Sequence, residues 1–419
     1  MPALITVDEA DAIIRSHLCK AAIESVPLAQ AQGRYLRQEI VADRPLPPFD
    51  RVMMDGIAID FASYQAGNRS FPIAATQAAG AAAIGLADPR TCIEVMTGCV
   101  LPNGCDCVIP VEDIELSEGK SRISADARPA PGQHIHKEGS DTGRGQVLLG
   151  SGQLLNANEL TIAASVGATT LQVSSLPRIL VITTGDEVVA PGDSPLPHQI
   201  RRSHATALHA AITAKKLGTV EDTHVADDPE ELHAAIADAL QSHYDIILLT
   251  GGVSRGKYDY VAPVLHQLLG EPHFHGIAQR PGKPMAFWTF TPGHDSPDGA
   301  DDGAAPGGKV CKRAIFALPG NPVSVMACTA RYLLPALTGM ISGNRPSPQT
   351  LPATGSFNCP PHFTGLTACR VADGRIQLLP PSNSGNFLSL AGTDGIAEIP
   401  GTLARKELLN EAARFYPWV

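Results

Sequence analysis

The sequence predicts a multidomain protein of the α/β and β classes, in which a doubly wound α/β domain is combined with an inserted β domain and a C-terminal β domain. From residue 178, near-continuous apolar strands alternate with helices, which is typical of a parallel sheet covered on both faces. From about 55 to 142, and again from about 346, short β-like runs alternate with turn residues. The length of 419 residues is enough for roughly two to four domains.

The chain begins with a helix signal over residues 6–18. Thr6 is followed three positions later by Glu9, the pattern of a capping box at a helix N-terminus. Five apolar residues then recur at helical spacing: Val7, Ala10, Ile13, Ile14 and Leu18. A second helical segment, 158–166, follows the β-rich stretch between short strands. We therefore expect the two ends of this region to pack together and the β domain to be an insertion.

The α/β region is predicted element by element. Its strands are expected at 178–184, 219–226 and 245–250, and its helices at 203–217, 229–242 and 259–269. Residues 291–313 are rich in Gly, Asp, Pro and Ala and predict a flexible loop before a last strand. The predicted domains are residues 1–45 together with 143–176, 46–142, 177–342 and 343–419.

Composition excludes several classes of protein. The net charge of −10 argues against a duplex nucleic-acid binder, which needs a basic surface, and the low aromatic content of 5% argues against a single-strand binder. No window reaches the roughly 18 consecutive apolar residues of a membrane span, and no secretory signal is visible. Nine scattered cysteines without a C-x-x-C pair indicate reduced thiols. We expect a cytoplasmic protein without nucleic-acid or membrane partners.

Polar residues follow three of the predicted strands. Thr184-Gly185-Asp186-Glu187 follows the first, Thr250-Gly251-Gly252-Val253-Ser254 the third, and Pro319-Gly320-Asn321-Pro322 the last. A Gly-rich turn between strand and helix lets backbone N–H groups approach an anion, although a plain tight turn explains Gly-Gly equally well. Asn321 and Pro322 also suit an ordinary helix start. Because ligands of parallel sheets lie at the carboxyl ends of strands, we expect the three turns to share one rim.

Acidic residues are candidates for metal binding at this rim. Asp228 precedes Pro229 and is followed by Glu231, so it is most simply a helix N-cap. Asp227 has no such role. Together with Glu187 and Asp259 it could supply the oxygen ligands that Mg²⁺ prefers.

Two cations stand in a proline-bounded turn. Arg280 and Lys283 occur in Arg280-Pro281-Gly282-Lys283-Pro284, and cations beside carboxylates indicate a site for a phosphorylated or oxyanionic ligand, with surface ion pairing as the alternative. Three pairs of possible metal ligands are each separated by one residue: His134/His136, His273/His275 and Cys105/Cys107. No further ligands follow at the spacing of a zinc site, so these pairs are interpreted as structural.

Taken together, these motifs resemble the molybdopterin molybdenumtransferase family, of the MoeA and gephyrin E-domain type. The resemblance extends in order and spacing from the first helix to about residue 400. The further matching stretches are Pro47-Pro48-Phe49-Asp50 with Met54-Asp55-Gly56, Met96-Thr97-Gly98 with Pro102 and Gly104, Gly139-Ser140-Asp141, Pro281-Gly282-Lys283-Pro284 and, more weakly, Asn383-Ser384-Gly385-Asn386.

The resemblance implies an elongated homodimer of four-domain subunits, in which the α/β molybdopterin-binding domain of one subunit meets the inserted domain of the other. It implies a Mg²⁺-dependent transferase that takes adenylylated molybdopterin and molybdate and releases AMP. It also suggests the pterin adenylyltransferase and recipient molybdoenzymes as partners. By position, the acidic catalytic residues are Asp55, Asp141, Glu187, Asp227 and Asp259, the last three as metal ligands. The implied substrate contacts are Thr97, Thr250, Gly251, Gly252, Ser254, Pro319, Gly320, Asn321 and Pro322 on the pterin or phosphate side, and Arg280, Lys283, Arg370 and Ser384 on the molybdate side.

Several positions depart from the family's pattern. Arg51 and Val52 stand where Asn-Ser is usual, and His136 and Arg280 stand where Arg and Lys are usual. Ile57 and Ser203-His204 are further departures. They leave open a paralogue with an altered oxyanion, such as tungstate, or a molybdopterin-binding or scaffolding protein without turnover. A pterin adenylyltransferase, whose isolated α/β domain is similar to residues 178–340, is disfavoured by the inserted and C-terminal domains.

Overall fold

The computed structural model describes residues 4–253, 259–291, 312–404 and 407–418. They form two compact units. The main unit contains the chain up to Arg37, Gly152–Asn156 and the chain from Thr170 onward, and the inserted unit contains Gln38–Ser151 with Ala157–Thr169. The loop predicted at 291–313 lies almost wholly outside the described residues. The four-domain division stays a prediction.

The main unit begins with helix α1 (Val7–His17) and strand β1 (Ile23–Pro27). The predicted capping box is confirmed, because the Glu9 N–H donates to Thr6 Oγ1 at 3.2 Å and the Thr6 N–H donates to Glu9 Oε2 at 2.7 Å. Each bond satisfies a backbone donor that the first helical turn leaves unpaired. The apolar stripe of α1 packs into the core of the α/β sheet.

The inserted unit is mostly β structure, as the sequence predicts. Its central sheet has six strands in the order β7-β4-β6-β5-β9-β8, and β2–β11 and β3–β10 are antiparallel pairs. Ile57 and Ile59 of β4 pack into one core and Ala58 into another, because successive strand residues face opposite sides of the sheet. The elements are β2 (Ile40–Val41), β3 (Arg51–Val52), β4 (Gly56–Ile59), α2 (Phe61–Gln65), β5 (Ser70–Gln77), β6 (Cys92–Val95), β7 (Cys107–Pro110), β8 (Ile114–Ser117), β9 (Lys120–Ile123), β10 (Ile135–His136), β11 (Val147–Leu149) and α3 (Ala157–Ser165).

The main unit continues with the α/β elements, whose predicted strands and helices are all present with ends shifted by a few residues. A π-helical turn, Thr329–Leu333, joins the last two helices. The elements are β12 (Thr170–Ser174), β13 (Arg178–Thr184), β14 (Val188–Val189), β15 (Ile200–Arg201), α4 (His204–Ala214), β16 (Thr219–Val225), α5 (Pro229–Gln241), β17 (Ile246–Thr250), α6 (Val261–Leu269), β18 (Phe274–His275), β19 (Gln279–Arg280), β20 (Ala286–Phe290), β21 (Arg313–Leu318), α7 (Pro322–Cys328) and α8 (Leu334–Ser342).

The α/β sheet has the strand order β16-β13-β17-β21-β20-β18. Ile179 and Val181 of β13 pack with α4, α7 and α8, whereas Leu180 and Ile182 pack with α5 and α6, so both faces are covered and the doubly wound prediction is confirmed. The expectation of a parallel sheet holds for the first four strands only, because β20 and β18 are antiparallel. The chain order changes direction between β13 and β17, which makes their carboxyl ends the switch point where such sheets bind ligands.

One helical stretch, Pro322–Ser342, is long and apolar enough to cross a membrane by length and composition alone. Of its most apolar window, 72% is buried inside the protein. A core helix of a folded domain has this character.

The C-terminal part of the main unit is a β barrel. Its sheet has the order β19-β23-β24-β22-β26-β25, and β25 also pairs with β23, which closes a ring of five strands. Strand β19 pairs in parallel with β23, so the strand that ends at Arg280 is joined to the barrel. The elements are β22 (Gln349–Gly355), β23 (Thr364–Ala372), β24 (Arg375–Leu378), β25 (Gly395–Pro400) and β26 (Leu408–Pro417), with 3-10 turns at Leu28–Gln30, Val111–Asp113, Phe387–Leu390 and Gly401–Leu403.

Candidate active site

Three turns meet at the carboxyl edge of the α/β sheet. The strand ends are in register, since Thr183 pairs with Thr250 and Thr250 with Leu318. A Cβ atom on Gly251 would lie 2.8 Å from Thr184 Oγ1, and one on Gly320 would lie 3.6 Å from the Gly251 Cα atom. The predicted common rim is therefore confirmed.

The turn after β17 contributes backbone groups and one hydroxyl group to this rim. Gly251 and Gly252 have φ values of +93° and +59°, the left-handed region that favours glycine. Thr250 is buried, and its hydroxyl Oγ1 has no hydrogen-bond partner among the described residues. An unpaired buried hydroxyl is uncommon, and it lies where the sequence places a substrate contact. Ser254, predicted as a further contact, lies outside the described residues.

Four carboxylates crowd the same rim. The Asp227 N–H donates to Asp186 Oδ1 at 3.0 Å. Burial raises the pKa of Asp227, and the neighbouring carboxylates Asp186, Glu187 and Asp259 raise it further, whereas a hydrogen bond from the Asp186 backbone to the Asp227 carboxylate lowers it. Because like charges oppose the ionised form, this crowding identifies Asp227, Glu187 and Asp259 as one electrostatic group.

Asp228 has the structural role that its sequence context predicts. Its Oδ1 accepts from the Glu230 N–H at 2.8 Å and from the Glu231 N–H at 3.0 Å. Asn321 differs from expectation, since it stands at the N-cap position of α7 but makes no side-chain cap hydrogen bond. Its amide is thus left for another partner.

The donor set of the rim suits a hard cation. Within the part of the chain that the structure describes, no group of three His, Cys, Asp or Glu residues is arranged to hold a metal ion. Mg²⁺ does not require such a cage, because it binds through one or two carboxylates together with substrate phosphates and water. The all-oxygen chemistry of Glu187, Asp227 and Asp259 fits this mode.

A second feature of the main unit is a cavity of about 970 Å³. Its walls come from the Arg280–Pro284 turn, the start of α7 and the C-terminal barrel. Arg280 and Lys283 are exposed there, and Asn321 and Ser384 also contribute to the lining. The structure therefore brings together four residues that the sequence assigns to substrate binding.

Arg370 is not part of this cavity. Its guanidinium donates to the Gly392 carbonyl from Nε at 3.1 Å and from Nη2 at 2.9 Å, and it is absent from the lining. Three earlier residues of the same strand line the cavity, namely Gly365, Leu366 and Thr367. Thr367 was not predicted; it is buried, and its hydroxyl has no partner within the described ranges.

The cationic turn rests on a packed base. A Cβ atom on Gly282 would lie 2.6 Å from both Cys328 Sγ and Gln279 Nε2. The buried Gln279 accepts from the Tyr332 hydroxyl and donates to Cys328 Sγ at 3.5 Å. The turn that carries Arg280 and Lys283 is thereby fixed from below.

Asp55, Thr97 and Asp141 lie in the inserted unit. The Thr97 N–H and hydroxyl donate to Asp55 Oδ1 at 2.6 and 2.7 Å, and these two bonds lower the pKa of Asp55. The contact is local to the sheet, because Asp55 precedes β4, which pairs with β6 just before Thr97. Asp141 accepts from His136 Nε2 at 2.8 Å.

The paired histidines and cysteines have separate partners, as their structural interpretation predicts. His273 contacts Thr289 and His275 contacts the Val253 carbonyl. Burial raises the pKa of Cys105 to about 12 and that of Cys107 to about 11, so both are inert thiols. Among the residues that the structure describes, seven cysteines are free and buried, but Cys19 is disulfide-bonded, so the expectation of reduced thiols is wrong at that residue.

Comparisons with known proteins converge on one family. Residues 5–167 match the MoeA N-terminal region (domain I and II), and residues 180–339 match a probable molybdopterin binding domain. A Synechocystis protein named molybdopterin molybdenumtransferase is 34% identical over 99% of this chain and 100% of its own length. Molybdopterin molybdenumtransferase 2 of Mycobacterium tuberculosis is 30% identical over 90% of each chain. The crystal structure of the molybdopterin biosynthesis MoeA protein of Pyrococcus horikoshii has the same fold, with a TM-score of 0.77, 24% identity and full coverage of both chains.

Proposed function

Since the chain belongs to the molybdopterin molybdenumtransferase family of the MoeA type, we propose that it inserts molybdate into adenylylated molybdopterin and releases AMP, with Mg²⁺ assistance and as a cytoplasmic homodimer. It is a transferase of molybdenum cofactor biosynthesis. The observation that carries the proposed chemistry is the rim at the switch point of the α/β sheet, where three turns and four carboxylates meet.

The turn after β17 supports binding of the phosphate side of the substrate. The Gly251-Gly252 backbone has no side chain to block an approaching anion, and the Thr250 hydroxyl is without a partner in the described chain. Backbone N–H groups in such turns bind anionic oxygens. This turn orients the phosphoanhydride in our proposal.

The carboxylates support the proposed Mg²⁺ dependence. One or two of the carboxylates Glu187, Asp227 and Asp259 would hold the ion together with the substrate phosphates, and the ion would supply charge stabilisation for the leaving AMP phosphate. Asp227 is the residue with most to gain from a cation, because neighbouring carboxylates oppose its ionisation. In the inserted unit, the two bonds from Thr97 keep Asp55 ionised and fixed in orientation.

The cavity beside the Arg280–Pro284 turn supports molybdate binding. Lys283 and Arg280 supply positive charge, and Ser384 and Asn321 supply hydrogen-bonding groups in the same lining. A guanidinium presents a planar fork of donors, whereas an ammonium is a compact point charge. The proposed site therefore combines both modes of oxyanion binding, and transfer depends on positioning more than on a protein nucleophile.

The deciding experiment follows AMP release from adenylylated molybdopterin with Mg²⁺ and molybdate. We expect turnover by the wild type, and its loss in Asp227→Asn and Asp55→Ala. Asp238→Asn and Asp126→Ala remove exposed carboxylates of the same units and should leave turnover unchanged. Absence of AMP release from the wild type would contradict the proposed reaction.

A second candidate is a molybdopterin-binding or scaffolding protein without turnover. The substitutions at Arg51, His136 and Arg280 relative to the family's pattern favour it, whereas the retained carboxylates do not. Tight binding of the pterin with no release of AMP, with either molybdate or tungstate, would identify this function.

The proposed homodimer is tested separately. Large apolar side chains are exposed around Asp55, where Met53 is 51%, Val111 is 47% and Leu116 is 55% accessible. Clustered apolar surface of this kind is typical of interaction sites. Sedimentation equilibrium should give twice the mass of the chain, and a monomer would contradict the proposal.

A further inference from the structure

Arg51, His136 and Asp141 form a hydrogen-bonded chain within the inserted unit. Arg51 and His136 are directly opposite each other in the antiparallel β3–β10 pair. Arg51 Nη2 lies 3.0 Å from His136 Nδ1, and His136 Nε2 lies 2.8 Å from Asp141 Oδ1. Both ring nitrogens of one histidine are thus occupied.

The chemistry of the two partners determines where the ring proton lies. A guanidinium can only donate hydrogen bonds, so His136 Nδ1 must accept and carries no proton. A neutral imidazole then keeps its proton on Nε2. That N–H donates to Asp141, whose carboxylate accepts. Arg51 therefore selects the tautomer that binds Asp141.

Among the residues that the structure describes, Arg51 and Asp141 are the groups that bond to the His136 ring. The neighbouring Lys137 is paired with Asp50 at 2.8 Å, and Asp50 also accepts from the Glu138 N–H at 2.9 Å. The Asp141 backbone is held separately, because its N–H donates to the Leu46 carbonyl at 3.0 Å. His136 is consequently the side chain that orients the Asp141 carboxylate.

We propose that His136 is a positioning residue for Asp141, held in its neutral Nε2–H form by Arg51. The inference deepens the proposed function, since it rests on Asp141 acting in that reaction. Protonation of His136 would place a hydrogen on Nδ1, where Arg51 already donates. Nε2–H would still donate to Asp141, but the contact with Arg51 would become repulsive and displace the ring, and the Asp141 carboxylate would move with it.

The test uses two substitutions of His136 and the AMP-release assay over roughly pH 5 to 8, the range in which histidine titrates. His136→Gln offers one acceptor to Arg51 and one donor to Asp141 but cannot titrate. We expect the wild type to lose activity toward the acid end of this range and His136→Gln to keep its activity throughout. His136→Ala should be roughly tenfold less active than the wild type at pH 8, the loss typical of a hydrogen bond to a charged group, and the difference should shrink in acid. Arg122→Ala removes an exposed arginine of the same unit and should behave as wild type.

Two outcomes of the assay would overturn the inference: an acid fall in His136→Gln identical to that of the wild type, or full activity of His136→Ala. Nitrogen-15 NMR of the ring provides a readout that does not need turnover. It should show an unprotonated Nδ1 in the wild type and a mixed tautomer in Arg51→Ala. A wild type that releases no AMP would contradict the proposed function alone, and the NMR result would then decide the inference, with a protonated Nδ1 overturning it.

Discussion

Arg331 is the centre of a buried ion network, and its removal should destabilise the main unit. Only 3% of its side chain is exposed, and it binds Glu398, which is 6% exposed, and Asp11 at 2.7 Å. The rings of Tyr332 and Tyr416 lie 4.9 and 4.8 Å from the guanidinium carbon. The network joins α1, the π-helical turn and the C-terminal barrel, so it holds together the framework under the cationic turn.

The expected cost of Arg331→Met follows from what is left behind. Removing one partner of a buried ion pair costs about 3 to 5 kcal/mol, because the other charge stays buried and unpaired. Here Glu398 keeps Arg414 at 2.9 Å, and Asp11 keeps Arg345 at 2.6 Å. We therefore expect the low end of that range, about 3 kcal/mol.

Urea unfolding followed by tryptophan fluorescence measures this cost, since both tryptophans, Trp288 and Trp418, are in the main unit. Arg414→Ala is the matched control. Arg414 contacts the same Glu398 but is 44% exposed, and exposed pairs are worth at most about 1 kcal/mol. A loss in Arg331→Met no larger than in the control would refute the reasoning. Replacing Arg331 and Glu398 together should cost less than the sum of the single changes.

Three further predictions concern the candidate site. Asp227→Asn should abolish turnover yet stabilise the main unit against urea at pH 7, because the raised pKa of Asp227 means that its ionisation opposes folding. This gain in stability should vanish in acid, where the aspartate is neutral in both the folded and the unfolded state. Thr97→Val removes one donor to Asp55, so an NMR titration should show a higher pKa for Asp55. The variant should be less stable than the wild type at neutral pH but not in strong acid, because a lowered pKa stabilises the fold only while the carboxylate is ionised. Gly251→Ala should cost more than about 1 kcal/mol in the same unfolding assay, and more than Gly270→Ala, which has a similar φ of +76° but open space around the added Cβ.

The α/β core could be predicted from sequence because its signals are local. A buried strand followed by an amphipathic helix, with Thr6 or Asp228 at a helix start, needs no knowledge of distant residues. The antiparallel strands β18 and β20 could not be predicted in this way. The apolar run Ala286–Phe290 is buried on both faces, and such a run looks the same whether its neighbour is parallel or antiparallel.

The parts of the candidate site that could be predicted are the motifs that directly follow a strand. Positions that depend on strand register could not be predicted. The turns at Gly251 and Gly320 share a rim because strand ends of a parallel sheet are aligned. Arg370 lies further along β23 than the cavity-lining residues Gly365, Leu366 and Thr367, and a motif match does not show how far along a strand the lining extends, so its contact with substrate stays a prediction.

The contact between Arg51 and His136 bears on whether the protein is an enzyme or a scaffold. Sequence reasoning treated the two residues as independent departures from the family's pattern, 85 positions apart, each counting toward altered function. The β3–β10 register makes them neighbours. Arg51 supplies one permanent positive charge to this cross-strand pair, and His136 directs a donor at Asp141. We expect the double variant Arg51→Asn with His136→Arg to release AMP, because it keeps one guanidinium in this contact, whereas His136→Arg alone, with two facing guanidinium groups, should not.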